Sequence, residues 1–235
     1  MASISTTAAV HDARLGLGDE HLLRSPLSDH VIRLRRARLG LFVALTPILM
    51  LFISFTSAYI VRQGLPTFDP RTNSLTRDWI PVRLPSILLV NTGVLLLSSV
   101  GMELARRQSK RETAAEFAAP SSELSSPVGK GFPWVSMTLV LGLLFLVGQW
   151  TAWQRLAANG YYIATTPSSS FIYLLTGTHA LHLIGGVLAL FVAAMASFLR
   201  RPASTRSIVV DITAWYWHFM AALWVYILCL MEFAS

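Results

Sequence analysis

The chain has 235 residues, of which 54% are hydrophobic and only 13% charged, and its mean hydropathy is +0.55. This composition is too apolar for a soluble domain, and the length allows several bilayer-spanning helices. The net charge of +7 does not indicate nucleic-acid binding, because the basic residues lie between apolar segments and form no continuous stripe with interleaved aromatics. The single cysteine, Cys229, excludes an internal disulfide or a cysteine-based metal cluster within this chain.

Two polar stretches contrast with the apolar remainder. Residues 1–38 are rich in arginine and lack the uninterrupted apolar run and small-residue cleavage site of a secretory signal, so we interpret them as a polar cytoplasmic tail. Residues 106–130 are rich in Ala, Ser, Glu and Pro, and this composition predicts a flexible loop. The transmembrane domain is expected over residues 39–235.

Five segments of mostly apolar residues follow the tail. At a rise of about 1.5 Å per residue, about twenty helical residues cross a hydrocarbon core of about 30 Å. The predicted spans lie near 39–61, 84–105, 133–156, 171–199 and 208–231. The predicted fold class is therefore all-α, a polytopic membrane bundle of five transmembrane helices.

Basic residues predict the orientation of these spans. Fourteen Lys and Arg residues lie in the N-terminal tail and in the connections after the second and fourth spans, against five on the opposite side. Because basic residues near span ends resist translocation, the N-terminus is predicted to be cytoplasmic.

The second span carries two pairs of polar residues at helical spacing. Asn91 and Ser98 share one face, and Thr92 and Ser99 share another. Such residues form hydrogen bonds between helices in hydrocarbon, so we predict that both pairs stabilise the bundle.

The fourth span places Thr176, His179, His182 and Gly186 on one face, where glycine allows a neighbouring backbone to come close. The two histidines either form hydrogen bonds within the bundle or to a lipid headgroup, or they bind haem or a metal. A bis-histidine haem normally takes its ligands from separate helices, which favours the first interpretation. His218 in the fifth span could supply the second ligand, so the haem alternative stays open.

The fifth span carries Asp211, Trp215 and His218 at i, i+4 and i+7, which is one stripe of a helix. Asp211 and His218 are about 10 Å apart along the axis, too far for a direct hydrogen bond. A carboxylate near the predicted start of a span favours the helix N-terminus, so Asp211 is either a capping carboxylate or part of a proton relay.

Several catalytic motifs are absent from the sequence. Within the predicted spans the histidines are His179, His182 and His218, whereas a catalytic haem–copper centre needs several more. The sequence also contains no Gly-rich phosphate loop and no Cys-x-x-Cys. These features favour a partner subunit over a free-standing enzyme.

Four stretches resemble the signature segments of subunit III of the haem–copper oxidases. They are LPSILLVNTGVLLLSSV (84–100), LVLGLLFLVGQW (139–150), LLTGTHALHLIGG (174–186) and AWYWHF (214–219). The resemblance runs in order from about Arg38 to the C-terminus. With five spans, the chain resembles the shorter bacterial form, which lacks two N-terminal helices of the mitochondrial one.

The resemblance implies an accessory role in a terminal oxidase of the bacterial inner membrane. The chain would pack with catalytic subunit I and subunit II, bind phospholipid in a V-shaped cleft, and support stability and proton uptake during oxygen reduction. It would hold no catalytic residue, metal or redox cofactor of its own, with haem and copper in the partner subunits. We expect an internal polar network that lines the lipid cleft or the partner face, formed by His179, His182, Asp211, Trp215 and His218.

Three positions depart from the pattern of that family. Pro47 or Ile48 stands near the usual glutamate of the first span, Ala152 replaces a common glutamate, and Ala221 replaces a common aspartate. This loss leaves open a subunit III-like accessory protein of a nitric oxide reductase. A small membrane haem b cytochrome is the alternative from a different class.

Overall fold

A computed structural model of the chain describes residues 26–69, 73–76, 79, 85–118, 132–163, 165–199 and 202–233. Within these residues, five helices are long and apolar enough to cross a bilayer. They are α1 (Pro26–Gly64), α2 (Ile87–Ala118), α3 (Phe132–Ala158), α4 (Pro167–Phe198) and α5 (Ala203–Phe233). A small antiparallel hairpin of β1 (Thr67–Asp69) and β2 (Ser74–Thr76) lies between α1 and α2. The predicted all-α class with five transmembrane helices is confirmed.

Two helices extend beyond their predicted spans. α1 begins at Pro26, so residues 26–38 are helical, and residues 1–25 of the predicted tail lie outside the described residues. α2 continues to Ala118, so the predicted flexible loop is wrong for residues 106–118. Arg, Lys, Gln, Glu and Ala fill this extension, and all are strong helix formers. Residues 119–130 lie outside the part that the structure describes.

The extension of α2 is fixed against the start of α5. The side chains of Glu112 and Arg206 form an ion pair, and the hydroxyl of Thr113 donates to the carbonyl of Ala203 at 3.1 Å. These partners lie about ninety residues away in the sequence. The charge pattern of residues 106–118 therefore does not by itself predict that this segment is helical and packs against α5.

Helices α2 to α5 form the bundle, which belongs to the second of two compact units, Leu41–Ser235. α2 packs against α3 and α5, and α4 also packs against α3 and α5. The largest fully buried side chains include Phe145 on α3, Leu183 on α4, and Trp217 and Trp224 on α5. The core is thus built from large apolar side chains between four helices, each of which packs against two of the others.

Helix α1 contacts this bundle along a single narrow stripe. Leu45, Phe52, Thr56 and Tyr59 are buried at spacings of seven, four and three residues, whereas the outer faces of α1 are exposed. The stripe leaves most of the apolar surface of α1 available to lipid or to another subunit.

The polar pairs of α2 form the predicted hydrogen bonds between helices. The amide of Asn91 donates to the carbonyl of Phe145 on α3 at 3.1 Å. Ser98 accepts from the indole N–H of Trp217 on α5 at 3.0 Å, and Thr92 accepts from that of Trp224 at 2.9 Å. The prediction from spacing is confirmed, and indoles of α5 are the partners of Ser98 and Thr92.

Two glycines make room for the indole of Trp217. A Cβ atom added to Gly142 on α3 would lie 2.7 Å from the ring, and one added to Gly186 on α4 would lie 3.2 Å from it. The first distance is shorter than a van der Waals contact allows, so Gly142 is needed for the indole of Trp217 on α5 to reach α3. At Gly186 the close neighbours are the aromatic rings of Tyr216 and Trp217, whereas the sequence predicted the close approach of a neighbouring backbone.

Candidate functional site

Three predicted site residues, Asp211, Trp215 and His218, lie together on α5 and face α2. The bonds that join α2 to α5 pair low residue numbers on one helix with high numbers on the other, so the two helices run antiparallel. Charged side chains of α2 at i, i+3 and i+7 lie opposite the stripe of α5. We call the resulting cluster the ionic seam, which consists of Glu103, Arg106, Lys110, Asp211 and His218.

Asp211 is the buried acid of the ionic seam. Its side chain is 3% exposed, and its Oδ1 lies 3.6 Å from Arg106 Nε and 3.7 Å from Lys110 Nζ. The guanidinium of Arg106 also lies 5.6 Å from the ring centroid of Trp215, a cation–π arrangement. Burial of a carboxylate is costly unless cationic groups lie beside it. Asp211 therefore holds α2 against α5.

Both ring nitrogens of His218 contact side chains of α2 across the same interface. Nδ1 shares a hydrogen bond with the hydroxyl of Ser99, and Nε2 lies 3.5 Å from Glu103 Oε2. Glu103 also pairs with Arg106 at 3.5 Å and with Arg107 at 2.9 Å. Because His218 is only partly buried, this end of the ionic seam remains accessible to water or to a neighbouring molecule.

The capping interpretation of Asp211 is wrong. α5 begins at Ala203, so Asp211 lies more than two turns inside the helix and cannot cap its first backbone N–H groups. The carboxylate that does so is Glu116 on α2, which accepts from the N–H of Ser204 at 2.9 Å. The N-terminus of a helix favours a nearby anion, so Glu116 supplies a cap from a different helix.

The α2 partners in the ionic seam lie outside the predicted second span. Arg106 and Lys110 come after residue 105, where that span is predicted to end, and so fall in the predicted loop. The spacing of Ser99, Glu103, Arg106 and Lys110 continues one helical stripe past that point. From this spacing the sequence could have predicted that the helix, with its charged face, continues beyond residue 105.

His182 lies apart from the ionic seam, where α4 meets α1. Its Nδ1 and the carbonyl of Thr178, one turn earlier, are 2.8 Å apart, and its ring packs edge-on against Phe52 of α1 at 6.1 Å. The backbone carbonyl of His182 accepts from the hydroxyl of Tyr216 at 2.8 Å. His182 thus joins α1, α4 and α5.

His179 is fully buried in the core of the bundle. Its ring lies 5.0 Å from that of Trp224 and 6.2 Å from that of Phe145, centroid to centroid. Neither ring nitrogen has a hydrogen-bond partner. The five predicted residues therefore occupy three environments, and only Asp211, Trp215 and His218 share one.

The arrangement does not fit a bis-histidine haem. Both nitrogens of His218 face α2, whereas His179 lies between Phe145 and Trp224 in the core. The two rings therefore do not face a common space that a planar macrocycle could occupy. Among the described residues, no three His, Cys, Asp or Glu side chains are placed to bind a metal ion.

An open groove of about 320 Å³ lies between α1 and α5. Its lining is mainly apolar. Two of the lining residues are joined by a hydrogen bond, in which the hydroxyl of Tyr226 donates to that of Thr56 at 3.0 Å. The groove is lined by Ile53, Thr56, Ser57, Ile60, Val61 and Tyr226. A mainly apolar groove on a membrane-spanning surface can accept a hydrocarbon chain.

Comparisons with known proteins agree on one family. The family model for cytochrome c oxidase subunit III matches residues 27–235. A probable cytochrome c oxidase subunit 3 of Mycobacterium leprae (strain TN) is 36% identical over 103 residues, which cover 43% of this chain and 50% of that protein. The subunit 3 of Corynebacterium diphtheriae is 30% identical over 92 residues, 39% of this chain and 45% of that protein.

A longer match extends to an animal protein. The cytochrome c oxidase subunit 3 of Anopheles quadrimaculatus is 27% identical over 195 residues, which cover 81% of this chain and 66% of that protein. The chain spans about half the length of the two bacterial relatives that it matches. The matches favour neither a nitric oxide reductase accessory protein nor a small haem b cytochrome.

Proposed function

The chain belongs to the cytochrome c oxidase subunit III family, and we propose that it is the non-catalytic subunit III of a bacterial aerobic terminal oxidase. The observation that carries this proposal is the family match, which extends over all five transmembrane helices. In this role the chain assembles with catalytic subunit I and subunit II. Haem and copper belong to those partners, and this chain supports oxygen reduction coupled to proton translocation.

The surface of α1 supports a role in subunit contact and lipid retention. From Leu41 onward, α1 buries one narrow stripe against the bundle and leaves large apolar side chains such as Val43, Met50 and Val61 exposed. Lipid or a partner subunit covers such a surface in the membrane. The groove between α1 and α5 accepts one acyl chain of a phospholipid in this proposal.

The ionic seam supports stabilisation of the subunit near the cytoplasmic membrane surface. The excess of basic residues on the N-terminal side supports an N-terminus in the cytoplasm, with the chain in the inner membrane in this proposal. The extension of α2 and the start of α5 then lie at the cytoplasmic surface. Asp211, Trp215 and His218 contribute there by fixing α2 to α5, close to the surface where an oxidase takes up protons.

Affinity purification from the native membrane in a mild detergent tests the proposal. We expect a large histidine-rich catalytic subunit with haem bands to purify with this chain, and no Soret band for this chain alone. A haem band on the isolated chain contradicts the proposal in favour of a cytochrome. Co-purification of a nitric oxide reductase contradicts it in favour of that complex.

A deletion strain tests the supporting role separately from assembly. If the chain maintains the catalytic subunit, an oxidase purified without it should retain its haem spectrum, lose activity faster during turnover, and take up protons more slowly. The strain complemented with the unmodified chain is the control. An oxidase whose rate, lifetime and proton uptake are unchanged by the deletion contradicts this role.

A further inference from the structure

Two of the buried polar side chains that lack a hydrogen-bond partner lie on the neighbouring helices α3 and α4. Gln149 on α3 is 1% exposed and His179 on α4 is 0% exposed. Both side-chain polar atoms of Gln149 and both ring nitrogens of His179 are unpartnered. Most buried polar groups in proteins are paired with protein or ordered water, so four such atoms in one helix pair require an explanation.

The neighbours of these side chains place them on the same interface. Phe145, Gln149 and Trp153 follow each other at four-residue intervals on one face of α3. The ring of Phe145 packs against His179 at 6.2 Å, and the indole N–H of Trp153 donates to Thr176 at 3.0 Å. Gln149 lies between these two residues on the same face of α3, so helical spacing directs its side chain toward the strip of α4 between Thr176 and His179.

The surroundings restrict what can bind there. Because both side chains are buried by this chain alone, neither a lipid headgroup nor a side chain of a partner subunit reaches them without opening the bundle. Ala152, the next buried residue along α3, presents only a methyl group to the core. A bound molecule must therefore be small and must both donate and accept hydrogen bonds.

We propose that Gln149 and His179 bind an ordered water molecule between α3 and α4. The amide of Gln149 offers two donors and an acceptor, and a neutral imidazole offers one donor and one acceptor. Buried waters typically make about three hydrogen bonds to groups that otherwise lack partners. The water joins the two helices in the interior of the bundle, where no lipid group can replace it.

A high-resolution electron microscopy map of the intact complex gives the direct test. We expect a density peak within about 2.6 to 3.2 Å of both the Gln149 amide and a nitrogen of His179. A direct hydrogen bond between the two side chains with no peak overturns the proposal. A peak that touches only one of them also overturns it.

The sign of a substitution effect gives an independent test. If Gln149 has no partner, then Gln149→Met removes a buried polar group and raises the midpoint of unfolding in mixed detergent micelles. If it binds the water, the same substitution lowers the midpoint and reduces the folded to unfolded ratio by a factor of roughly 5 to 30. Gln154→Met, at an exposed position of the same helix, is the matched control and should leave the midpoint unchanged.

Discussion

The indole of Trp224 on α5 lies 5.0 Å from the imidazole of His179 on α4, with the two ring planes 36° apart. Its N–H donates to the hydroxyl of Thr92 on α2 at 2.9 Å, and its ring meets Phe145 on α3 edge-on at 5.1 Å. This side chain of α5 therefore contacts the three other helices of the bundle. Its apolar body fills the core, and its single polar atom is paired within the protein.

Loss of the Trp224 hydrogen bond should destabilise the bundle modestly. We expect Trp224→Phe to lower the free energy of unfolding beyond its packing cost, and Thr92→Val to lower it as well. The coupling between them should be about 0.6 kcal/mol and no more than about 1.7 kcal/mol, as for other hydrogen bonds between membrane helices. A double-mutant cycle in mixed micelles measures this coupling. Strictly additive effects contradict it, and Trp150→Phe at an exposed position is the control.

Gly142→Ala should destabilise the packing of the Trp217 indole against α3. The added methyl group meets the ring of Trp217 at 2.7 Å, and overpacking of a well-filled core typically costs 1 to 3 kcal/mol. Gly93→Ala is the matched control, because a Cβ atom there meets nothing within 4 Å and alanine favours helices. Unfolding midpoints of the two variants should therefore move in opposite directions. Equal midpoints contradict the close approach.

His218→Leu should reduce the stability of the complex without altering its haem spectrum. The substitution removes the hydrogen bond to Ser99 and the contact with Glu103, at a cost of about 1 kcal/mol. Thermal inactivation of the purified complex measures the loss, and the optical spectrum is recorded on the same sample. His218→Asn keeps a short polar group facing α2 and should recover part of the stability. A shifted or missing haem band would place His218 near a cofactor and contradict the structural role.

Glu116→Ala should loosen the first turn of α5. Its carboxylate accepts from the N–H of Ser204 at 2.9 Å, and loss of a capping acceptor costs about 0.5 to 2 kcal/mol. Amide hydrogen exchange at residues 203–206 should accelerate accordingly. Glu116→Gln retains an acceptor oxygen and should cause a smaller acceleration. Exchange that is identical in both variants and the unmodified chain contradicts a capping role.

Filling the groove between α1 and α5 should displace bound lipid. Ser57→Trp places an indole in the groove, whereas Leu97→Trp places one on an exposed face of α2. Phospholipid that purifies with the complex, quantified by mass spectrometry, should fall by about one molecule for Ser57→Trp only. An unchanged lipid content in the Ser57 variant contradicts acyl-chain binding at this position.

Hydropathy and spacing predicted much of this fold, because a bilayer imposes a length on each apolar segment. They also identified Asn91 and Ser98 as polar contacts between helices, since helical periodicity fixes which residues share a face. They did not predict that α2 continues to Ala118. The length of an apolar segment indicates where a helix leaves the membrane, but the helix itself can continue beyond that point. The same limit concealed the ionic seam, whose partners Arg106 and Lys110 lie beyond the apolar part of α2.

The environments of the histidines required the tertiary structure for a different reason. Periodicity placed His179 and His182 on a similar face of α4, but it could not identify the neighbouring side chains. In the structure, His179 meets Trp224 in the core and His182 meets Phe52 of α1. Two residues one turn apart thus contact different helices.

The indole of Trp217, placed against Gly142 and Gly186, fixes the vertical register of three helices. A slide of α5 by one turn would move this ring away from both glycines and against larger side chains, so α3, α4 and α5 can move along the bilayer normal only as one body. A change in membrane thickness must then be met by tilting of the whole bundle or by movement of α1, whose contact stripe is narrow. The contacts of Trp217 thus leave α1, the helix least buried by the others, as the one that can move separately.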